Sequence, residues 1–361
     1  MGETPANAAD GTSAGEGTGA LATGPGAARG NAAPGPDGPR AGGPGRFALL
    51  LRPEAGLPLI TLLLCVYLTF SSEYFLQWQN LLNVTFAVSA IGIAAAFATL
   101  VVIGGGLDLT PVTVGILAGL TCVKGLDAGL PVVLVVAMAL AAAAGIGLLN
   151  GLLVGVGRLN PFIVTLGTNF LFTGIAFVVT AGGSLNVEHA NFAKIGQSTL
   201  WFDIPTPTVI MVLTFAAAWF LLRYTRFGTH VKAVGGDEGA ARLSGVRVVR
   251  VKIILYTTSA LAAGIAGVVA ASAAGSVAAY AASGSNDLLA IIAAVIIGGT
   301  ALTGGHGSVV GTLVGVLLIG IIGNGLVLDN ISSFYQPVVT GSILLIAIIL
   351  DEVRRRSTAP V

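Results

Sequence analysis

The chain has 361 residues, of which 55% are hydrophobic and 9% charged, with 52 glycines, a mean hydropathy of +0.92 and a net charge of +1. A water-soluble domain carries about a quarter charged residues, so a soluble globular protein is excluded, and the near-neutral balance offers no nucleic-acid surface. Two cysteines, Cys65 and Cys122, both in apolar stretches, supply neither a disulfide framework nor a metal-binding spacing.

In chain order, residues 1–46 contain Gly, Ala, Pro, Thr and Asp with almost no large apolar side chain. Such a segment cannot bury enough surface to fold, which predicts a disordered tail. Apolar runs follow at Leu57–Phe70, Leu81–Ile103, Pro111–Val123, Pro131–Val156, Pro161–Ala181, Thr206–Leu222, Ile253–Gly275, Leu288–Thr303, Val309–Leu328 and Pro337–Leu350. A spanning helix needs about 20 apolar residues, and several runs are shorter. Together they predict an all-α polytopic membrane protein of about ten transmembrane helices, with residues 47–353 as the membrane domain and 354–361 as a tail. With ten spans and both termini in the cytoplasm, all but Lys124 and Lys194 of the 17 basic residues fall inside. That asymmetry is the positive-inside bias. Aromatic pairs agree: Tyr74 with Trp78, Trp201 with Phe202 and Phe334 with Tyr335 fall at the expected outer interface, and Trp219 with Tyr224 at the inner one. Val101–Gly105 and Val295–Gly299 are a short internal echo, each an apolar run closed by a glycine pair.

Catalytic signals are weak. His189, His230 and His306 are scattered without metal-ligand spacing. No glycine is followed by lysine anywhere, so the phosphate cradle of a nucleotide-binding loop is missing. If transport is driven by ATP, another subunit hydrolyses it.

Polar residues inside apolar runs are the next signal. Gly104-Gly105-Gly106-Leu107-Asp108-Leu109-Thr110-Pro111 reads as a helix break followed by a helix start, with Thr110 as N-cap and Pro111 at the first helical position. A broken membrane helix is tolerated only beside protein or a water-lined cavity. Gly105, Gly106, Asp108 and Thr110 are therefore candidates for the translocation pathway; a cytoplasmic turn with a capping aspartate explains them equally. Thr165, Thr168 and Asn169 share one helical face and are candidates for a polar path, as is Asn324. Helix-to-helix hydrogen bonding is the plainer reading of Asn150, Asn169 and Asn324.

The loop 223–252 contains Gly235-Gly236-Asp237-Glu238-Gly239-Ala240-Ala241-Arg242-Leu243-Ser244-Gly245. Asp237 can cap a short helix, Glu238 and Arg242 suit its positive and negative ends, and Gly245 can end it. A slim, surface-lying helix of about two turns, with Ala240 and Ala241 at its centre, suits a groove on a partner.

These segments resemble the permease subunits of the ribose/xylose/galactose class of ATP-binding-cassette importers. The resemblance lies in Gly105–Thr110, Pro161–Thr168, Gly235–Val246 and Ile297–Gly305, in order along residues 57–353. It implies a bacterial multi-pass plasma-membrane protein that pairs as a homodimer in the lipid bilayer and docks an ATPase subunit through the loop around Ala240. A sugar would arrive from an extracytoplasmic binding protein. No cofactor is expected on this chain, ATP and Mg²⁺ belonging to the ATPase, and no covalent chemistry is expected of it. Asp237 stands where the family has Asn, and Gly239 where a Glu is common. If that Glu touches the ATPase, Glu238 would have to replace it. A permease for branched-chain amino acids, nucleosides or a furanose signal molecule is the alternative within the class. An ion-coupled secondary transporter is the alternative outside it, but Asp108 and Asp287 sit at span ends rather than mid-membrane.

Overall fold

The computed structural model describes residues 53–279 and 286–335, together with 337–339, 341–342 and 345. The expectations for the tail 1–46, for most of Pro337–Leu350 and for 354–361 lie outside the described residues. Within them, every apolar run becomes helix. The order is α1 (Pro53–Ser71), α2 (Trp78–Ala87), α3 (Ser89–Ile103), α4 (Pro111–Asp127), α5 (Val132–Gly155), α6 (Pro161–Thr180), strand β1 (Ser184–Asn186) and α7 (Ala190–Gln197). Then follow α8 (Thr206–Tyr224), α9 (Arg226–Gly236), α10 (Glu238–Leu243), α11 (Val248–Ala274), strand β2 (Ser276–Ala278), α12 (Asn286–Ile297) and α13 (Val309–Leu328). The two strands pair antiparallel, with Leu185 opposite Val277.

The solvent is written on the surface. Phe70, Val133 and Val178 are more than four-fifths exposed, while the interior is built largely of Ala, Gly and Val. Such an inverted distribution belongs in lipid. Five helices, α5, α6, α8, α11 and α13, are long and apolar enough to cross a membrane; α2 and α3 make a sixth if taken as one span bent by 51°. Among the described residues the other expected spans are shorter apolar helices, and most of the last, Pro337–Leu350, lies outside them. Two of the short helices have a local cause. α12 ends after 12 residues at Gly298-Gly299, and α4, with 17 residues, starts only after the break at Gly104–Gly106. In α1 the apolar stretch is Leu57–Ser71.

The internal echo is structural. Gly105 N donates to Val102 O and Gly106 N to Val101 O; Gly299 N donates to Ile296 O and Thr300 N to Val295 O. With Gly105 at φ 75° and Gly299 at φ 83°, both helices end in the same left-handed glycine cap. α3–break–α4 and α12–break–α13 are thus two versions of one broken unit.

α11 is the centre, 56% of its apolar window being buried against 28–44% in the other full-length spans. It packs on α5, α4 and α3. Gly147, Gly151 and Gly155 recur every fourth residue along one face of α5, so this face has no side chains and α11 can approach closely. A Cβ on Gly151 would lie 2.7 Å from the Ile253 Cα. Across the other side of α11, Gly267 meets Gly115 of α4 backbone to backbone. A Gly267→Ala change should therefore lower the melting temperature in detergent, with an overpacking cost of about 1–3 kcal/mol. Gly145→Ala, where a Cβ meets nothing within 4 Å, should leave it unchanged.

Candidate functional site

α11 serves as a ruler. Its first turns meet α10, through Lys252 and Glu238 at 2.6 Å. About 6 and 10 Å further along, at 1.5 Å per residue, Tyr256 and Ser259 face the break between α3 and α4. Tyr256 Oη donates to the Leu107 carbonyl at 3.3 Å, and Ser259 Oγ to Asp108 Oδ2 at 2.9 Å. Beyond them, residues 263–274 of α11 line a cavity of about 310 Å³ together with α3, α4, β2 and α12.

Asp108 is 5% exposed. Its Oδ1 accepts from Thr110 N at 2.9 Å and Thr110 Oγ1 at 2.6 Å, and its Oδ2 from Ser259. Three donors on one carboxylate offset much of the cost of burying it. Asp108 therefore closes the turn onto Thr110, as a capping residue would, and does so inside the bundle rather than on a cytoplasmic surface. Thr110 holds the N-cap position, but its hydroxyl is used by Asp108 and caps no backbone amide of α4. Pro111 is at the first helical position, as its fixed φ requires. Asn150 Nδ2 reaches Thr110 Oγ1 at 3.4 Å, bringing α5 to the same point. Leu107 and Asp108 line, with Val102, Ile296 and Leu302, a small void of about 10 Å³.

The other pathway candidates are distributed differently. Thr165 Oγ1 contacts the Leu107 carbonyl at 3.2 Å and so belongs to the break. Asn169 accepts from Thr113, which also pairs with Thr173 at 3.2 Å, linking α6 to α4. Asn324 exchanges two hydrogen bonds with Asn80, at 2.8 and 3.0 Å, linking α13 to α2. Thr168 bonds only carbonyls of its own helix. None of these four lines the cavity. Its wall is mostly Ala, Gly, Val and Ile, with Ser276 and Asp287 as its polar members. Asp287, which the sequence places at a span end, is not among the pathway candidates above, yet it lines the cavity.

At the α9–α10 end, Asp237 Oδ1 accepts from Ala240 N at 2.8 Å, and Gly245 at φ 83° ends the turn, as the sequence implied. The helix has six residues, close to the two turns expected. Ala241 is not on its free face: it is 4% exposed and packs in the core with Val231, Val234, Val248 and Val251. Three-six periodicity explains this, since a short helix lying on a bundle must turn one side inward. Ala240 and Ser244 are exposed. Leu243, which the search for small residues missed, is 92% exposed. Glu238 binds Arg242 at 2.9 Å and Lys252 at 2.6 Å, one oxygen each. Both oxygens are thereby engaged within the chain. The Lys252 hydrogen bond holds its carboxyl below the usual Glu range. A depressed value means that the pair is complete at neutral pH and is lost only as pH falls through it. Among the described residues no cluster of His, Cys, Asp or Glu could hold a metal ion.

Lipid-facing helices that break around a buried carboxylate, next to a cavity, define a membrane transport permease. The comparison with known proteins makes this particular. The chain belongs to the family described as the permease component of branched-chain amino acid transport systems, whose model matches residues 80–349. The ribose import permease of Escherichia coli K12 is 36% identical over 307 residues, covering 83% of this chain and 94% of its own length. Its Bacillus subtilis counterpart is 38% identical over 291 residues, 80% and 89% respectively. An L-arabinose transporter permease of Azospirillum brasilense is 32% identical over 302 residues, 84% and 88%. These relatives are monosaccharide permeases, as the resemblance implied, and not amino-acid ones. No solved structure matches the chain significantly.

Asp108→Ala should leave the Thr110 and Ser259 donors unpaired, at about 1–3 kcal/mol of stability. Asp108→Asn, which can still accept from Thr110 and offer its amide to Ser259 Oγ, should cost less. Thermal unfolding of the two variants in detergent checks the order.

Proposed function

We propose that this permease is the membrane-spanning subunit of an ATP-binding-cassette importer for a monosaccharide. It works with a separate ATPase, an extracytoplasmic binding protein and a second copy of itself, in a bacterial plasma membrane. The observation that carries this reading is the similarity to ribose and L-arabinose permeases along more than four-fifths of the chain. ATP and Mg²⁺ bind the ATPase, and this chain makes and breaks no covalent bond. The cavity, at about 310 Å³, is at the small end of the usual range for ligand pockets, about 300–1,000 Å³. A pentose or hexose is a small ligand, and Asp287 and Ser276 offer acceptors for its hydroxyls.

Orientation follows from charge. Arg223, Arg226, Lys232, Arg242, Arg247, Arg250 and Lys252 gather around α9 and α10, which supports a cytoplasmic location for that end. The cavity then faces the side from which a binding protein delivers. The ATPase docks on α10 through Leu243 and Ala240, an apolar tip set among basic residues and held in shape by the Asp237 cap and the Glu238 pairs. Ala241 supports this helix from below and makes no partner contact.

Leu243→Asp should weaken ATPase association about thirty-fold or more, the loss of a central apolar contact costing on the order of 2–4 kcal/mol. Co-purification and titration of the ATPase against the permease in nanodiscs measure it. Unchanged association would remove α10 as the docking helix. Uptake of labelled ribose into proteoliposomes holding all subunits should stop without ATP even when a proton gradient is kept; uptake on the gradient alone would favour a secondary carrier.

A further inference from the structure

Three glycine segments far apart in the chain meet at one point. They are the break after α3 (Gly104–Gly106), the end of α9 (Gly235-Gly236) and the loop before α13 (Gly304-Gly305). Gly305 N donates to Ile103 O at 2.8 Å, so the two breaks are joined directly. Gly235 is wedged into that joint. A Cβ there would overlap the Ile103 carbonyl and lie 2.6 Å from Gly305 N. Gly304, at φ 83°, is equally enclosed: a Cβ would lie 2.7 Å from Gly235 O and 2.8 Å from the Gly105 Cα. No side chain of these glycines intervenes between the three backbones.

We propose that this glycine joint is the mechanical coupling of the transporter, with Gly235 as its positioning residue. The inference rests on the docking role proposed for α10. Gly235 lies two residues before Asp237, which caps α10, so the docking helix and the joint are neighbours in the chain. On the far side of the joint, the first break carries Leu107 and Asp108, and the second carries Leu302. These residues line one small void, together with Val102 of α3 and Ile296 of α12. The two breaks that contribute to its lining are both segments that Gly235 touches. Close-packed backbone has no rotamers with which to absorb a displacement, so a shift of α9 must move the two breaks. Side chains at the joint would make it compliant or push it apart. The glycine requirement is thus explained by force transmission as well as by space.

The test separates coupling from folding and from docking. In nanodiscs with its ATPase and binding protein, Gly235→Ala should still bind the ATPase and hydrolyse ATP. Ribose moved per ATP hydrolysed should fall about ten-fold or more, the scale of an overpacked contact. Gly167→Ala, where a Cβ meets nothing within 4 Å, should keep the native ratio. A native ratio in Gly235→Ala overturns the proposal, whereas normal ATPase association in Leu243→Asp overturns the docking reading instead. Should Gly235→Ala fail to fold, spin labels at Lys232 and Leu302 keep the native glycines. Their separation should stay constant between nucleotide-free and ATP-trapped complexes while the separation of Leu302 from Trp201, at the opposite end, shifts. A Lys232–Leu302 separation that changes as much, or a Leu302–Trp201 separation that does not change, overturns it.

Discussion

A helix that stops inside an apolar solvent leaves amides and carbonyls with no water to bind, and everything around Asp108 answers that constraint. The break after α3 is tolerable because its groups find partners in the bundle. The Leu107 carbonyl is met by Tyr256 and Thr165, and the amide of Thr110 by Asp108 itself. In this setting Asp108 is first a structural acceptor. Its charge is accommodated by hydroxyls and an amide rather than by a cation, so no basic residue has to be buried with it. The arrangement also explains why α11 is the most enclosed span: it brings Tyr256 and Ser259 to the break and must be held in place to do so.

Holding it there is the work of small residues. Lipid gives helices no hydrophobic incentive to associate, so close van der Waals contact has to supply the attraction. Gly147, Gly151 and Gly155 of α5 and Gly115 of α4 let backbones touch α11 on two sides. The same device, used at Gly105, Gly235 and Gly304, brings the end of α9 against the two breaks. One chemical choice, the missing side chain, thus serves packing in the membrane core and contact at its edge.

How much of this was legible in the sequence depended on whether a feature is local. Helix positions, the Asp237 cap, the Gly245 stop and the break at Gly104–Gly106 each depend on a few adjacent residues, and all were readable. The pairing of the two broken units was readable too, because a glycine cap needs the same five-residue pattern in both places. What could not be read is which face of a helix turns inward. Ala240 and Ala241 are indistinguishable in sequence, yet one is exposed and the other is core. For Asn169 and Asn324 the sequence allows a polar path or a bond to a neighbouring helix, and only the fold supplies the partners, Thr113 and Asn80. The length of each helix is hard to read for a related reason. Hydropathy records that a run is apolar but not where a glycine will end its helix.

The family description names amino acids while the similar permeases carry sugars, and the cavity suggests why one architecture serves both. Its wall is largely featureless Ala, Gly, Val and Ile, with Asp287 and Ser276 the polar exceptions. Strong discrimination requires buried polar groups that a wrong ligand would leave unpaired. A wall with so few of them can exclude by size but can reject few ligands by hydrogen bonding. Tight binding here would also be a disadvantage, since a solute held firmly in a passage leaves it slowly. Selection then belongs upstream, with the protein that presents the solute. On the reading proposed above, the permease itself needs little more than a passage of fitting width.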